Sequence, residues 1–523
     1  MSFPLLTATA ALPAVGAIAT AAVPAERRTA AKWLALLVSL GTLVLGAVQL
    51  VRFEPGGDRY QLTESHSWIK DFGVRYELGV DGIGVALIAL TALLIPFIIV
   101  AGWHDADPLE TSNSRWRPTQ GFFALILAVE AMVVLSFEAT DVFLFYILFE
   151  AMLIPMYFLI GGFGDRAHEH GDEAAATQRS YAAVKFLLYN LVGGLIMLAA
   201  VIGLYVVAGT FSLDEIAAAR ANGSLDMATN TERLLFLGFF FAFAVKAPLW
   251  PLHTWLPNAM GEATAPVAVL ITAVVDKVGT FAMLRFCLQL FPEASKWATP
   301  VILVLAVISI IYGALLAVGQ RDIKRLVAYA SISHFGFIVM GIFAMTTQGQ
   351  SGATLYMVNH GISTAALMLV AGFLISRRGS RLIADYGGVQ KVAPLLAGTF
   401  LVGGLATLSL PGLAPFVSEF LVLVGTFSRY PAIGVIATLG IVLAALYVLV
   451  LYQRTMTGPV KAEVQGMPDL KVRELLVVAP LIALLVFLGV YPKPLTDIVN
   501  PAVQHTMTDV HKKDPKPVVE AAQ

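Results

Sequence analysis

Six of the ionisable residues that lie inside long apolar runs of the sequence are candidates for chemistry, because charged side chains are rare there. They are two carboxylates, two amines and two imidazoles: Glu150, Lys246, Lys277, His334, His360 and Glu419. A lysine in the middle of a bilayer costs about 3 kcal/mol or more, so such a residue usually marks a functional site. All three group types bind and release protons, and a series of them predicts a proton path. The alternative is a structural ion pair or a side chain that reaches the interface.

Glu150 and Lys246 are candidates for a switchable pair. Burial makes the charge of a lysine costly, and an approaching carboxylate offsets that cost by a comparable amount. Lys246 would therefore hold or release its proton as the influence of Glu150 changes. Lys277 and the two histidines would extend this pair into a wire with intervening water. No spacing in the sequence matches a redox-metal site or a catalytic triad.

Other polar residues of the apolar runs have simpler interpretations. Lys185 and Arg285 lie near the ends of their runs, from which a long side chain can reach the interface. His253 stands between two prolines, where shaping a broken helix explains it equally well. Asp276 adjoins Lys277, but neighbours on a helix point about 100° apart and need not pair.

Two further polar clusters favour exposed loops. Glu138 and Asp141 lie at the joint between two apolar runs, where an exposed turn accounts for both. His168 and His170 lie in the loop 162–180 and could chelate a metal weakly, but a solvated loop is the simpler interpretation.

Composition places the chain in the membrane class. Of its 523 residues, 58% are hydrophobic and 13% are charged, whereas soluble proteins carry about a quarter charged residues. The net charge of -1 and the lack of a basic stripe predict no nucleic-acid partner. One cysteine, Cys287, forms neither an iron–sulfur site nor an internal disulfide. No phosphate-binding motif appears, so we expect no cofactor in this chain.

The apolar runs predict an all-α polytopic membrane protein with about fourteen transmembrane helices, because a span needs roughly 20 apolar residues. The runs cover residues 3–23, 31–51, 81–102, 120–137, 140–161, 182–208, 234–257, 265–288, 298–318, 326–345, 353–375, 396–427, 433–453 and 474–492. Proline clusters in the seventh and twelfth runs predict discontinuous helices. Loops after odd-numbered spans carry most of the lysines and arginines, which predicts that both termini are external. The polar tail from residue 499 is predicted to be disordered.

Three segments carry a family resemblance. The segment from Lys246 to Pro266 resembles the seventh-to-eighth helix region of the antiporter-like subunits of respiratory complex I. It also resembles the large subunits of multisubunit Na⁺/H⁺ antiporters. Asp322 to His334 is similar to the ninth-to-tenth helix region of the family, and Asn359-His360 matches the eleventh helix. The resemblance covers most of the chain from about residue 75 onward.

The resemblance implies an architecture. Spans four to eight and nine to thirteen would be two inverted five-helix repeats with discontinuous helices 7 and 12. The expected divisions are 1–119 for three N-terminal spans with an external loop 52–80, 120–290 and 298–455 for the repeats, 456–498 for the last span, and 499–523 for a polar external tail.

The resemblance also implies residue roles. Glu150 and Lys246 would form the ion pair, Lys277 and His334 the central relay, and His360 and Glu419 the exit. Asp276 departs from the family pattern, because the residue before that lysine is commonly apolar. It could act on Lys277 or face another subunit.

Among the antiporter-like paralogues, three features favour the one with L-like and N-like neighbours in the membrane arm. They are the glycine-rich segment Gly79–Gly84, a glutamate rather than a lysine at Glu419, and a chain that ends soon after the fourteenth span. The implied function is proton translocation within NADH:quinone oxidoreductase of the bacterial inner membrane, with FMN and iron–sulfur clusters in partner subunits. Two alternatives stay open: a large subunit of a cation/proton antiporter, and a structural subunit that has lost transport.

Overall fold

Helices dominate the computed structural model, which describes residues 3–107, 119–164 and 173–516. Eleven helices in these ranges are long and apolar enough to cross a membrane, as expected for a polytopic helical protein. His168 and His170 lie outside the described residues.

The first eight helices occupy the chain up to residue 221. They are α1 (Leu5–Ala21), α2 (Arg28–Arg52), α3 (Gly82–Ala101), α4 (Thr119–Glu138), α5 (Val142–Ala151), α6 (Leu153–Gly162), α7 (Glu173–Ala208) and α8 (Leu213–Ala221). Side chains cap two of these helices: Asp81 accepts the backbone N–H of Gly84, and Asp141 accepts those of Phe143 and Leu144.

The remaining twelve helices include both interrupted ones. They are α9 (Thr229–Lys246), α10 (Leu256–Glu262), α11 (Ala265–Val269), α12 (Lys277–Ala282), α13 (Pro292–Val318), α14 (Ile323–Phe343), α15 (Thr347–Arg378), α16 (Pro394–Thr407), α17 (Ala414–Arg429), α18 (Pro431–Met456), α19 (Val472–Val490) and α20 (Lys493–Asp509). Wider π-helical turns at Leu270–Val275 and Met283–Leu288 flank α12 and keep Ala265–Leu288 one continuous span.

A β-hairpin follows α2, so the prediction of an all-α protein is wrong at this point. Strands β1 (Gln61–Ile69) and β2 (Val74–Val80) pair antiparallel within the predicted loop 52–80. Arg75 ties the hairpin to α8 by donating to Glu215 Oε1 at 2.8 Å. The hydrogen bond from Thr210 and the Arg75 guanidinium hold the pKa of Glu215 below its usual value.

Proline interrupts the chain at two places inside the bundle. Helix α9 ends at Lys246, two residues before Pro248, and the chain is not helical again until α10. Trp255 bridges this break by donating its indole N–H to Val245 O at 2.9 Å. The second break separates α16 from α17, and Ser409 and Gly412 adopt positive φ there.

Residues 499–509 of the predicted tail are helical rather than disordered, because they belong to α20. Val499, Val503 and Met507 are buried at a helical spacing. Arg59 donates two hydrogen bonds to the Asp509 carboxylate, at 3.0 and 2.7 Å. The domain boundary predicted at residue 499 therefore falls inside a packed helix.

The prediction that the side chain of Arg285 reaches the membrane interface is wrong, because this side chain is buried among polar partners inside the bundle. Its guanidinium lies 3.2 Å from Asp81 Oδ1 and donates to Phe137 O at 3.0 Å. The guanidinium also lies 4.4 Å from the centroid of the Phe281 ring. This side chain therefore joins α3 and α4 to the span Ala265–Leu288.

Candidate functional site

Lys246 ends α9 with a buried ammonium group. Its Nζ donates to Phe149 O at 2.9 Å and lies 3.9 Å from the centroid of the Phe149 ring. The last carbonyl groups of a helix carry partial negative charge, which favours a cation at this position. The proline break thus places a lysine at a helix end inside the helical bundle.

Glu150 follows Phe149 and lies against the bare backbone of Gly194 in α7. Its Oε1 is buried and has no hydrogen-bond partner among the described residues. Glu150 and Lys246 interact electrostatically, but within the described ranges neither forms an ion-pair contact with the other. The two groups are ionisable neighbours, and a small movement of either changes their electrostatic coupling.

Lys277 begins α12 and contacts α15. Its Nζ lies 2.6 Å from His360 Nδ1 and 4.3 Å from the centroid of the Phe335 ring. An ammonium group can donate a hydrogen bond to the unprotonated imidazole nitrogen, so the contact has the geometry that a proton transfer between the two side chains requires. The side chains of Lys277 and His360 are both fully buried within this subunit.

The two histidines lie edge to face, with ring centroids 5.2 Å apart. His360 contacts Lys277, and His334 lies beyond it, with Nε2 3.5 Å from the Tyr447 hydroxyl. The family resemblance grouped His334 with Lys277 and His360 with the exit. Of the two histidines, it is His360 that contacts Lys277 directly in the structure.

Glu419 ends the series beside the second helix break. Its Oε2 accepts hydrogen bonds from Tyr356, at 3.1 Å, and from Ser409 in the break itself. The Tyr356 ring lies 5.8 Å from the His334 ring, so one tyrosine links the histidines to the carboxylate. Hydroxyl groups both donate and accept, which suits them to pass a proton between fixed partners.

The sequence of the chain is similar to a known family of membrane proteins. The family model "NADH:quinone oxidoreductase/Mrp antiporter, TM" matches residues 139–444, more than half of the chain. The chain is 57% identical to NADH-quinone oxidoreductase subunit M of Mycobacterium tuberculosis, covering 97% of this chain and 95% of that protein. It is 37% identical to subunit M of Rhodobacter capsulatus, covering 93% and 92%. The chain belongs to the subunit M family.

Two solved structures agree with this membership. A chain of respiratory complex I from Thermus thermophilus with bound NADH superposes with a TM-score of 0.82 at 30% identity, covering 97% of this chain and 99% of that one. A chain of the Mrp complex from Dietzia superposes with a TM-score of 0.81, covering 98% and 100%. At 21% identity, the second likeness shows the shared fold only.

In this member of the subunit M family, two further ionisable side chains, those of Lys185 and His253, lie beside the first helix break. Lys185 donates to Asn258 Oδ1 at 3.1 Å and is only partly buried. His253 is buried with its ring 5.2 Å from that of Tyr312. Lys185 therefore joins α7 to α10, and His253 packs the segment between α9 and α10 against α13.

Sequence reasoning missed several polar residues of the interior. Tyr356, Tyr447 and Ser409 were not singled out, although Tyr356 precedes His360 by one helical turn, a spacing that places both on one face. Glu130 in α4 is fully buried, and neither of its carboxylate oxygens has a hydrogen-bond partner among the described residues.

The exposed turn predicted at Glu138 and Asp141 is wrong, because both side chains are buried. Gln49 donates to Glu138 Oε1 at 2.9 Å, and Asp141 caps α5. Packing of the hairpin and of α1 and α2 over this joint buries it, which local sequence does not reveal.

Gly194→Ala is expected to displace the Glu150 carboxylate, because a methyl group at this position would overlap Glu150 Oε1. Proton uptake by vesicles that contain the assembled complex should fall severalfold. Gly398→Ala is the control, since a methyl group there meets nothing within 4 Å. Equal uptake by the two variants would show that the position of Glu150 is unimportant.

Proposed function

We propose that the chain is a proton-translocating membrane-arm subunit of NADH:quinone oxidoreductase, in which other subunits carry electrons from NADH to quinone. Membership of the subunit M family supports the assignment to NADH:quinone oxidoreductase. The buried ionisable side chains support a role in proton translocation. FMN and iron–sulfur clusters are expected in the partner subunits, since this chain carries one buried cysteine.

The observation that carries the proton role is the run of contacts from Lys277 to Glu419. Lys277 touches His360, His360 packs on His334, and Tyr356 connects the histidines to Glu419. Buried polar groups are costly, and a bundle with a purely structural role gains stability when apolar side chains replace them. A function that needs exchangeable protons explains why so many lie together.

The proposed mechanism is electrostatic. A charge change that arrives along the membrane arm alters the coupling of Glu150 with Lys246. Lys246 then releases its proton toward Lys277, whose contact with His360 passes it on. His334 and the tyrosines deliver it to Glu419, beside the non-helical segment of the second break. Each step moves one proton and returns the donor to its neutral or anionic form.

The proposed architecture has fourteen crossings, which are the eleven long spans together with α1, the interrupted span that begins with α9, and the interrupted span α16–α17. Residues 120–290 and 298–455 form two inverted repeats after three N-terminal spans at 1–119, and 456–498 holds the last span. The chain lies in a bacterial inner membrane with both termini external and with L-like and N-like subunits as its neighbours. The first and second breaks then occupy equivalent positions.

Purification of the tagged chain from its own membrane tests this proposal against the antiporter alternative. We expect flavin and iron–sulfur absorbance to co-elute with the chain, together with NADH-dependent quinone reduction. Co-elution with membrane subunits alone, free of redox centres, would refute the oxidoreductase assignment and favour a cation/proton antiporter.

A further inference from the structure

Asp276 is a fully buried carboxylate, and neither of its oxygens has a hydrogen-bond partner among the described residues. A side chain with no accessible surface cannot face another subunit, which removes one of the two roles that the sequence left open. An unpaired carboxylate in a bundle interior is costly unless cations compensate it. The neighbouring cations therefore decide what Asp276 does.

The helix geometry directs Asp276 toward the end of α9. A methyl group on Gly279, three residues further on, would lie 2.9 Å from both Ala247 N and Phe243 O. Residues three apart share one face of a helix, so the face that carries Asp276 packs against the segment that holds Lys246.

Lys277 points away from that face. Its Nζ contacts His360, and Thr280, three residues along, donates to Met357 Sδ at 2.9 Å. Both partners lie on α15, so Lys277 faces α15 while Asp276 faces α9. The π-helical turn before them, closed by the bond from Asp276 N to Ile271 O at 2.9 Å, sets this rotation.

We propose that Asp276 is the proton-carrying group between Lys246 and Lys277, an inference that rests on the proposed function. The Asp276 carboxylate takes a proton from the Lys246 ammonium, which leaves a neutral amine and a carboxylic acid. The acid then gives this proton to the neutral Lys277 amine and returns to its anionic form. One proton advances from Lys246 at the end of α9 to Lys277 at the start of α12, and no charge is created.

The charged groups that act on Asp276 support its placement between Lys246 and Lys277. Asp276 interacts electrostatically with both Lys246 and Lys277, whereas Glu150 interacts with Lys246 alone of these two lysines. Two ammonium groups in one low-dielectric interior repel each other, and a carboxylate between them offsets that repulsion. The titratable groups around Asp276 are thus Lys246 from α9, Lys277 from its own span and, beyond it, His360 from α15.

Asp276→Asn tests the inference in inverted vesicles that contain the intact complex, because asparagine keeps the shape and cannot carry the proton. NADH-driven proton uptake is measured from pH 6 to 9, with assembly checked on native gels. We expect uptake to fall by about tenfold, and its alkaline limit to shift by about one pH unit to lower pH, because a nearby anion favours charged lysines. Asp276→Glu should restore both.

Normal uptake with an unshifted pH profile in the Asp276→Asn complex would overturn the inference. Slower uptake with an unshifted profile would overturn it too, because it marks a structural role. If the asparagine variant fails to assemble, Asp276→Glu decides: an unshifted profile is expected, and a shift contradicts the proposal. Lys277→Ala is measured in parallel. If it is impaired while Asp276→Asn is normal, only this inference fails, whereas two normal variants refute the proposed function itself.

Discussion

Replacing Lys277 by alanine is expected to reduce NADH-driven proton uptake by about tenfold or more, because a positioned proton-transfer group is removed. The lysine is fully buried, and its Nζ lies 2.6 Å from His360 Nδ1. Without it, none of the described side chains of this span offers an ionisable group in contact with His360. Uptake is measured in vesicles at equal amounts of assembled complex.

Lys277→Arg separates proton transfer from charge. An arginine keeps the positive charge but does not release its proton in proteins, so uptake should stay low. Lys296→Ala serves as the surface control, because Lys296 pairs with Glu293 outside the bundle interior. Full uptake by the arginine variant would show that only the charge at this position is needed.

Asp81→Ala is expected to have the largest effect on stability, of about 3–5 kcal/mol, because it leaves a buried guanidinium unpaired. The Arg285 side chain is 1% exposed and that of Asp81 is 10% exposed. The loss should appear as a lower yield of assembled complex and a lower midpoint in thermal unfolding of the detergent-purified complex. Replacing both residues together should cost less than the sum of the single changes.

Glu215→Ala provides the matched control for that prediction. Its ion pair with Arg75 is 43% and 46% exposed, and such pairs contribute about 1 kcal/mol or less. If Asp81→Ala destabilises the complex no more than Glu215→Ala does, then the buried pair does not hold α3 to the span Ala265–Leu288.

Sequence alone predicted the costly residues and the breaks, but not how they meet. Lys246, Lys277 and Glu419 are recognisable because charge inside an apolar run is rare, and proline clusters mark both interruptions. The order of His360 before His334 depends on how α14 and α15 pack around Lys277, which no local pattern encodes. Tyr356 was missed because a tyrosine in an apolar run is unremarkable until its hydroxyl has a partner.

The structure differs from the sequence predictions at two other places, Arg285 and helix α20, and each difference has a physical cause. The burial of Arg285 follows from Asp81, about 200 residues earlier in the chain, so position within the span alone suggested the interface. The sequence does contain a signal for helix α20, because Val499, Val503 and Met507 recur at a helical spacing. The many charged and polar residues of the same segment led instead to the prediction of disorder.

The most direct measurement of the proposed coupling is NADH-driven proton uptake by vesicles that carry Lys246→Ala or Glu150→Ala. Each variant removes one member of the charged pair at the start of the series, and native gels establish equal assembly. Both variants are predicted to lose most of their proton uptake, by about tenfold. Full uptake by either fully assembled variant would contradict a proton path that begins at this pair.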